Sequence, residues 1–413
     1  MKILPSSEYD QILKYSVYWL VISIVIGVVA GLASTLIFVA FDISNKVRSL
    51  HHWLIYFLPF VGFGIGYLIK KYGSPIERGT HLLIDEIHQP KSFIPKRMSP
   101  IIFITSILTQ LFGGSAGREA PAVQLSGALI DHLSHILKIS EDNRKICLIA
   151  SIGAGFAGVF GLPLAGAIYG LEITALGNLR YSAIFPCFVS ALIASAIPEL
   201  FEIVHPHVFY VISEFPAIHF GTLMSLIAAG LIFGLVARFF IAAIHFASDV
   251  FYKYVRYLPL RTMAGGIVIM LLTLFTAHQQ YNGLGTDKII SSFYVPIEFY
   301  DFFNKTIFTA ITLGSGFKGG EITPLFYVGA TLGNALGAVL NLPISLLAGL
   351  GLVSLFSGAS KAPLTSIILA VELFGMNVAT YAIITCLLAA LFSGNCGLYR
   401  RKKLIATKIM PIF

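Results

Sequence analysis

Long stretches with no Asp, Glu, Lys or Arg constrain this chain more than any other feature. They run from Ser16 to Phe41, Trp53 to Ile69, Ile146 to Leu171, Thr262 to Thr286, Ile322 to Ser360 and Leu373 to Tyr399. A helix crossing a bilayer needs about 20 such residues, because the hydrocarbon core offers no water to solvate charge. The Ile322–Ser360 run is too long for one span and carries Pro324, Pro343 and repeated glycines, so it divides into several helical pieces. Other apolar runs, such as Phe239 to Ser248, are too short to cross alone. The expected class is an all-α polytopic membrane protein. Charged residues are 12% of the 413, about half the share in soluble domains, so a soluble globule lacks its polar shell and disorder is excluded. The net charge of +8 is read as membrane topology, not as a nucleic-acid face.

The first apolar run is of span length and follows a polar start, so it is read as a span and not as a cleaved signal. The basic tail Arg400-Arg401-Lys402-Lys403 follows the last apolar run and is expected in the cytoplasm. Cys147, Cys187, Cys386 and Cys396 form no CxxC pair, and the eleven histidines are scattered. No metal site or cofactor is expected.

The chain repeats itself. Phe156 to Ile173 aligns without a gap on Phe356 to Leu373, with Phe, Gly, Pro, Leu, Ile and Glu coinciding 200 positions apart (Pro163 on Pro363). Gly114, Gly117, Glu119, Gly127 and Ala128 match Gly316, Gly319, Glu321, Gly329 and Ala330, 202 positions on (Glu119 on Glu321). Proline and glutamate are rare in apolar segments, so common composition explains this poorly. The expected organisation is an N-terminus (1–15), a first half (16–200), a connector (201–214), a second half (215–400) and a basic tail (401–413).

Duplicated halves in transporters are often inverted, with ion sites near mid-membrane where broken helices meet. The segments Gly113 to Pro121 and Gly314 to Pro324 have the composition of such breaks. Glycine lets backbone approach closely and proline is tolerated in a first helical turn. The exposed N–H groups at a half-helix N-terminus stabilise an anion. Each break places an ionisable residue deep between apolar runs, which is a functional hypothesis by default.

These motifs resemble the CLC family of anion channels and anion/proton exchangers. Gly117-Arg118-Glu119-Ala120-Pro121 is similar to its G-R-E-G-P signature, and Gly319-Gly320-Glu321-Ile322-Thr323-Pro324 to its G-G-I-F-A-P. Tyr399 in Gly397-Leu398-Tyr399 matches its central tyrosine. The resemblance runs from about Ser16 to Tyr399. It implies inverted halves of tilted, broken transmembrane helices, a homodimer in lipid with one pore per subunit, and halide anions and protons as the transported species. It implies Glu119 as the gate and proton-coupling residue. It also implies anion contacts from Thr80, Gly117, Arg118, Glu321, Ile322, Thr323 and Tyr399. The nucleotide-binding modules that some members carry are not expected in this chain.

Three positions depart from the pattern. Gly79-Thr80-His81-Leu82-Leu83 replaces the G-S-G-I-P loop, so Thr80 stands for the halide-contacting serine. Glu321 replaces an apolar residue, and Ile173 falls where an inner proton-transfer glutamate would be. The last two resemble the fluoride-exporting branch, whereas Thr80 does not, which leaves chloride and fluoride both open. Glu321 is expected to stand in for the missing inner acid; the structural alternative is an ion pair with Lys318. A halide/proton antiporter is the leading reading and a passive chloride channel of the same fold the second. The sequence has no HExxH, GxSxG or acid–nucleophile pair to suggest a membrane enzyme.

Overall fold

The computed structural model describes residues 6–73, 75–174, 179–276, 279–395 and 397–398. The cytoplasm-assigned tail, Cys396 and Tyr399 lie outside them. The described residues form sixteen α-helices: α1 (Ser6–Leu50), α2 (Leu58–Tyr72), α3 (Thr80–His88), α4 (Met98–Leu111), α5 (Glu119–Ile136), α6 (Glu141–Phe160), α7 (Pro163–Ile173), α8 (Ile184–Glu199), α9 (Phe220–Tyr254), α10 (Leu258–Thr276), α11 (Thr286–Ser291), α12 (Asp301–Gly314), α13 (Ile322–Leu340), α14 (Ile344–Ser360), α15 (Pro363–Phe374) and α16 (Ala379–Phe392). Six of the described helical segments are long and apolar enough to cross a membrane.

Lengths vary far more than a simple bundle allows. The 45 residues of α1, at about 1.5 Å each, exceed twice the ~30 Å hydrocarbon core, so this helix tilts or projects. The short run Phe239–Ser248 is not a separate element. It belongs to the 35-residue α9, which continues through Arg238 and Asp249; Arg238 is exposed, where a long stem carries its charge outward. The Ile322–Ser360 run divides into α13 and α14. These two pack backbone to backbone, with Gly329 facing Gly351 and Gly333 facing Leu347. Without a hydrophobic drive between helices in lipid, such small-residue contacts supply the packing.

The two halves share their local chemistry. Helices α6 and α14 end 200 positions apart, at Phe160 and Ser360, on left-handed residues Gly161 (φ +70°) and Lys361 (φ +59°). A proline then opens α7 and α15 at the first helical position. Gly161 takes the left-handed turn without strain, whereas Lys361 costs about 1 kcal/mol and is held by Nζ donating to the Ala390 carbonyl (2.9 Å) and Ser393 Oγ (2.5 Å).

Equivalent residues also touch. Phe156 and Phe356 stack at 6.0 Å with ring planes 27° apart. A third matching block, not apparent from the motifs, joins α2 to α10: Gly66 packs on Pro259 and Gly266 on Pro59, while Thr262 Oγ1 donates to the Gly62 carbonyl at 2.6 Å. The ends of α7 and α15 cap one another. Glu172 accepts from the N–H groups of Leu364 (3.1 Å) and Thr365 (2.8 Å), and Glu372 from those of Leu164 (2.8 Å) and Ala165 (2.6 Å). These are first-turn N–H groups that helical geometry leaves unpaired, and each carboxylate comes from the other half.

Candidate anion and proton site

Both breaks exist as the glycine and proline pattern predicts. The first separates α4 from α5 and the second α12 from α13. Gly113 (φ +92°) and Gly316 (φ +105°) begin the two loops in conformations that disfavour any side chain. Each loop is pinned from elsewhere. Asn282 Nδ2 donates to the Gly113 carbonyl (2.7 Å), and Ser115 N–H to Thr312 Oγ1 (3.0 Å). Arg261 Nε reaches the Ser315 carbonyl at 3.4 Å and its Nη2 pairs with Glu77 at 2.6 Å. The loops then join: Gly117 N–H donates to Gly320 O (2.6 Å) and Gly320 N–H to Gly117 O (2.8 Å). This is the sole pairing of strand type among the described residues.

The pairing sets the N-termini of α5 and α13 side by side. Glu119, the first residue of α5, is fully buried. Its Oε1 accepts from the Ile322 N–H at 2.5 Å and its Oε2 from Thr323 Oγ1 at 2.8 Å. A carboxylate therefore sits where unpaired N–H groups and the helix dipole favour negative charge. Neither Arg118 nor Lys318 forms an ion pair with it. The Arg118 guanidinium lies 3.9 Å from the centre of the Phe38 ring, and Lys318 Nζ donates to the Glu77 carbonyl at 2.9 Å.

Glu321 precedes Ile322 and lines a cavity of about 300 Å³ with Thr80, Gln124, Lys318 and Leu398. The ion pair with Lys318 considered from sequence does not form; the Lys318 ammonium is turned to Glu77. Thr80, at the start of α3, accepts from Gln124 Nε2 at 3.0 Å, so among the described contacts its own hydrogen stays available to the cavity. Leu398 is tied by its N–H to the Ala359 carbonyl (3.0 Å), which brings the chain to this cavity just before Tyr399. Gly117 contributes backbone only. Ile173 is buried and carries no acid, and Glu172 beside it is committed to α15.

A second, smaller cavity is bordered by Arg118, Thr323, His205, His207 and Tyr210. Sequence reading passed over His205 and His207 as connector residues. Their signal was present in His205-Pro206-His207, but only the fold carries the connector back against Arg118.

Residues 61–394 match the family described as voltage gated chloride channel. The chain belongs to this CLC family. It is 42% identical to a chloride/fluoride channel protein of Pseudomonas syringae pv. tomato, over 96% of this chain and 88% of that one. It is 28% identical to the H(+)/Cl(-) exchange transporter ClcA of Vibrio cholerae, over 95% of this chain and 91% of the relative. Among solved structures, a CLC-type fluoride/proton antiporter superposes with TM-score 0.90 at 31% identity, covering 94% of this chain and 98% of that chain. A slow cyanobacterial Cl−/H+ antiporter superposes with TM-score 0.79 at 20% identity, covering 91% and 94%, which speaks to the CLC fold alone. The relatives bear transporter and channel names, not enzyme names.

Proposed function

We propose that this protein moves chloride or fluoride across the membrane in exchange for protons, with Glu119 as the gate that joins the two movements. One observation carries the reading: the Glu119 carboxylate occupies the Ile322 N–H and the Thr323 hydroxyl, donors that suit a halide equally well. Charge-assisted hydrogen bonds hold the ionised side chain there. Protonation removes that advantage, the side chain leaves, and an anion takes its place. Gly117, Arg118, Ile322 and Thr323 then line the path near the gate, and Thr80 and Tyr399 donate hydroxyls from the other side.

Glu321 serves as the second proton-handling group in place of the acid missing at Ile173. Its position on the 300 Å³ cavity and the absence of an ion pair with Lys318 support that role. The repeat halves take residues 16–200 and 215–400, with 201–214 connecting them. The subunit works as a homodimer in a bacterial inner membrane, with one pore per chain. Lys70, Lys71, Arg78, Lys91, Lys96, Arg97, Lys138, Lys145, Lys253 and Arg256 lie in or beside the loops after α2, α3, α5 and α9, a basic bias that supports the reading of these loops, and of both termini with them, as cytoplasmic.

The passive-channel alternative draws support from the word channel in the name of the 42% identical relative. Purified protein in liposomes separates the two. A halide gradient should drive proton movement, and a proton gradient should drive halide movement, with fluoride and chloride measured in parallel. Halide flux without any proton movement would establish the channel instead.

A further inference from the structure

We propose that Arg118 and His205 form a further halide site, next to Thr323 of the seat and in a cavity distinct from the one that Glu321 lines, occupied by one anion and strengthened by protonation of His205. The proposal rests on the reading of the Ile322–Thr323 position as a halide seat.

Two buried groups there lack what their chemistry requires. Arg118 is 6% exposed, and no carboxylate pairs with it among the described ion pairs; its close contact is the Phe38 ring. Glu119 and Asp42 act on it only through space, without an ion pair; a buried cation whose charge is not directly paired is costly, and a small anion supplies the missing contact. His205 is 5% exposed, and neither ring nitrogen makes a well-formed hydrogen bond, although the Val159 carbonyl lies beside it. These groups face a cavity of about 30 Å³ that Thr323 and Tyr210 also line, room for a single small anion.

The cavity is placed on a route. Thr323 donates its hydroxyl to Glu119 and borders this cavity, so an anion leaving the seat meets Arg118 next. Thr286 borders both this cavity and a 640 Å³ vestibule carrying Lys46, Arg48 and Lys288, with Asp42 and Asp287.

The charged and titratable groups around His205 are Arg118 ahead of α5, His207 and Tyr210 on the connector, and Asp42 of α1 and Glu119 acting through Arg118. Burial, then the Arg118 charge, then His207 hold the His205 imidazole down to about 4, so at neutral pH it is uncharged. An anion set between Arg118 and the ring offsets the cation and favours the imidazolium. By linkage, a proton taken up with the anion makes anion binding tighter as pH falls.

Calorimetric titration of purified Glu119→Gln protein with sodium fluoride and with sodium chloride, at neutral and mildly acid pH, tests this. Two halides per subunit are expected, one of them tighter at acid pH. In the Glu119→Gln, His205→Leu double variant the acid-sensitive site should weaken at least about tenfold, which is about 1.4 kcal/mol, while the other stays. His205→Gln keeps an N–H but cannot titrate, so with Glu119→Gln it should bind two halides without the acid enhancement; it carries the test if the leucine variant does not fold. One halide per subunit, or an unchanged isotherm and pH response in the His205 variants, overturns the proposal. No halide binding in any of these proteins overturns the seat itself, and this site with it.

Discussion

Gly117 and Gly320 exchange both of their backbone hydrogen bonds, at 2.6 and 2.8 Å, across the junction of the two broken segments. The pair has no side chains, so two helix N-termini approach at the distance of neighbouring strands. This contact lets a carboxylate on α5 reach an N–H on α13. The reading of Glu119 as the gate depends on that geometry.

Glu119→Gln should leave an anion pathway and abolish proton movement, because an amide does not carry the proton. Halide flux through the unmodified protein should rise toward acid pH as the carboxylate protonates and gives up the Ile322 and Thr323 donors. Paired halide and proton measurements in liposomes check both. Undiminished proton uptake by the variant counts against Glu119 as the gate.

Glu321→Gln separates a relay from a structural role. A relay predicts a folded dimer that has lost proton-coupled halide transport. A structural role predicts lower stability with normal coupling in whatever folds. Size-exclusion chromatography beside proton flux reads both, and a well-folded dimer with normal coupling rejects the relay.

Gly320→Ala tests the gate without touching a charge. A Cβ at Gly320 strikes the Glu119 carboxylate and comes within 3.0 Å of the Ala120 nitrogen, so the carboxylate has to leave its seat. Halide leak without proton movement should increase on the order of tenfold, as displacement worth about 1.4 kcal/mol would give. An unchanged leak in a folded variant would mean that the seat tolerates the methyl group.

Much of this was legible and some was not, for identifiable reasons. Gly113, Gly316, Pro163 and Pro363 act on the chain locally, so the breaks and helix starts could be read from the sequence. The pairing of motifs 200 positions apart revealed the duplication, though the Pro59/Gly66 and Pro259/Gly266 match is sparse and surfaces only as contact. Partners at long range were out of reach. Nothing near Lys318 in sequence points to the Glu77 carbonyl, and Glu321 three residues away is the obvious but unused counter-charge. Counting uncharged residues also divides α9 at Arg238, because such a count ignores where a long side chain puts its charge.

Arg144 offers a test of stability away from the path. Its Nε donates to Asp131 at 2.5 Å and its Nη1 to Glu86 at 3.3 Å, while Asp131 also accepts from the Ile94 N–H at 2.6 Å. All three side chains are buried. Asp131→Ala removes one partner and strands the cation, which costs about 3–5 kcal/mol. Thermal unfolding in detergent should show a large drop, and a variant as stable as the parent would mean that Glu86 suffices for Arg144.

If the halves are inverted and each crosses an odd number of times, Met1 and Phe413 share one face. Reporter tags at the two ends should both read cytoplasmic. Labelling on opposite sides would reject the inverted arrangement.

The exchange of caps between α7 and α15 bears on how the protein is made. When the ribosome has released only the first half, the N–H groups of Leu164 and Ala165 have no carboxylate, and Glu172 has no helix to close. A first half standing alone would therefore carry an unfinished helix end, which the second half completes. Neither half closes its own helix end: each supplies the carboxylate that the other lacks.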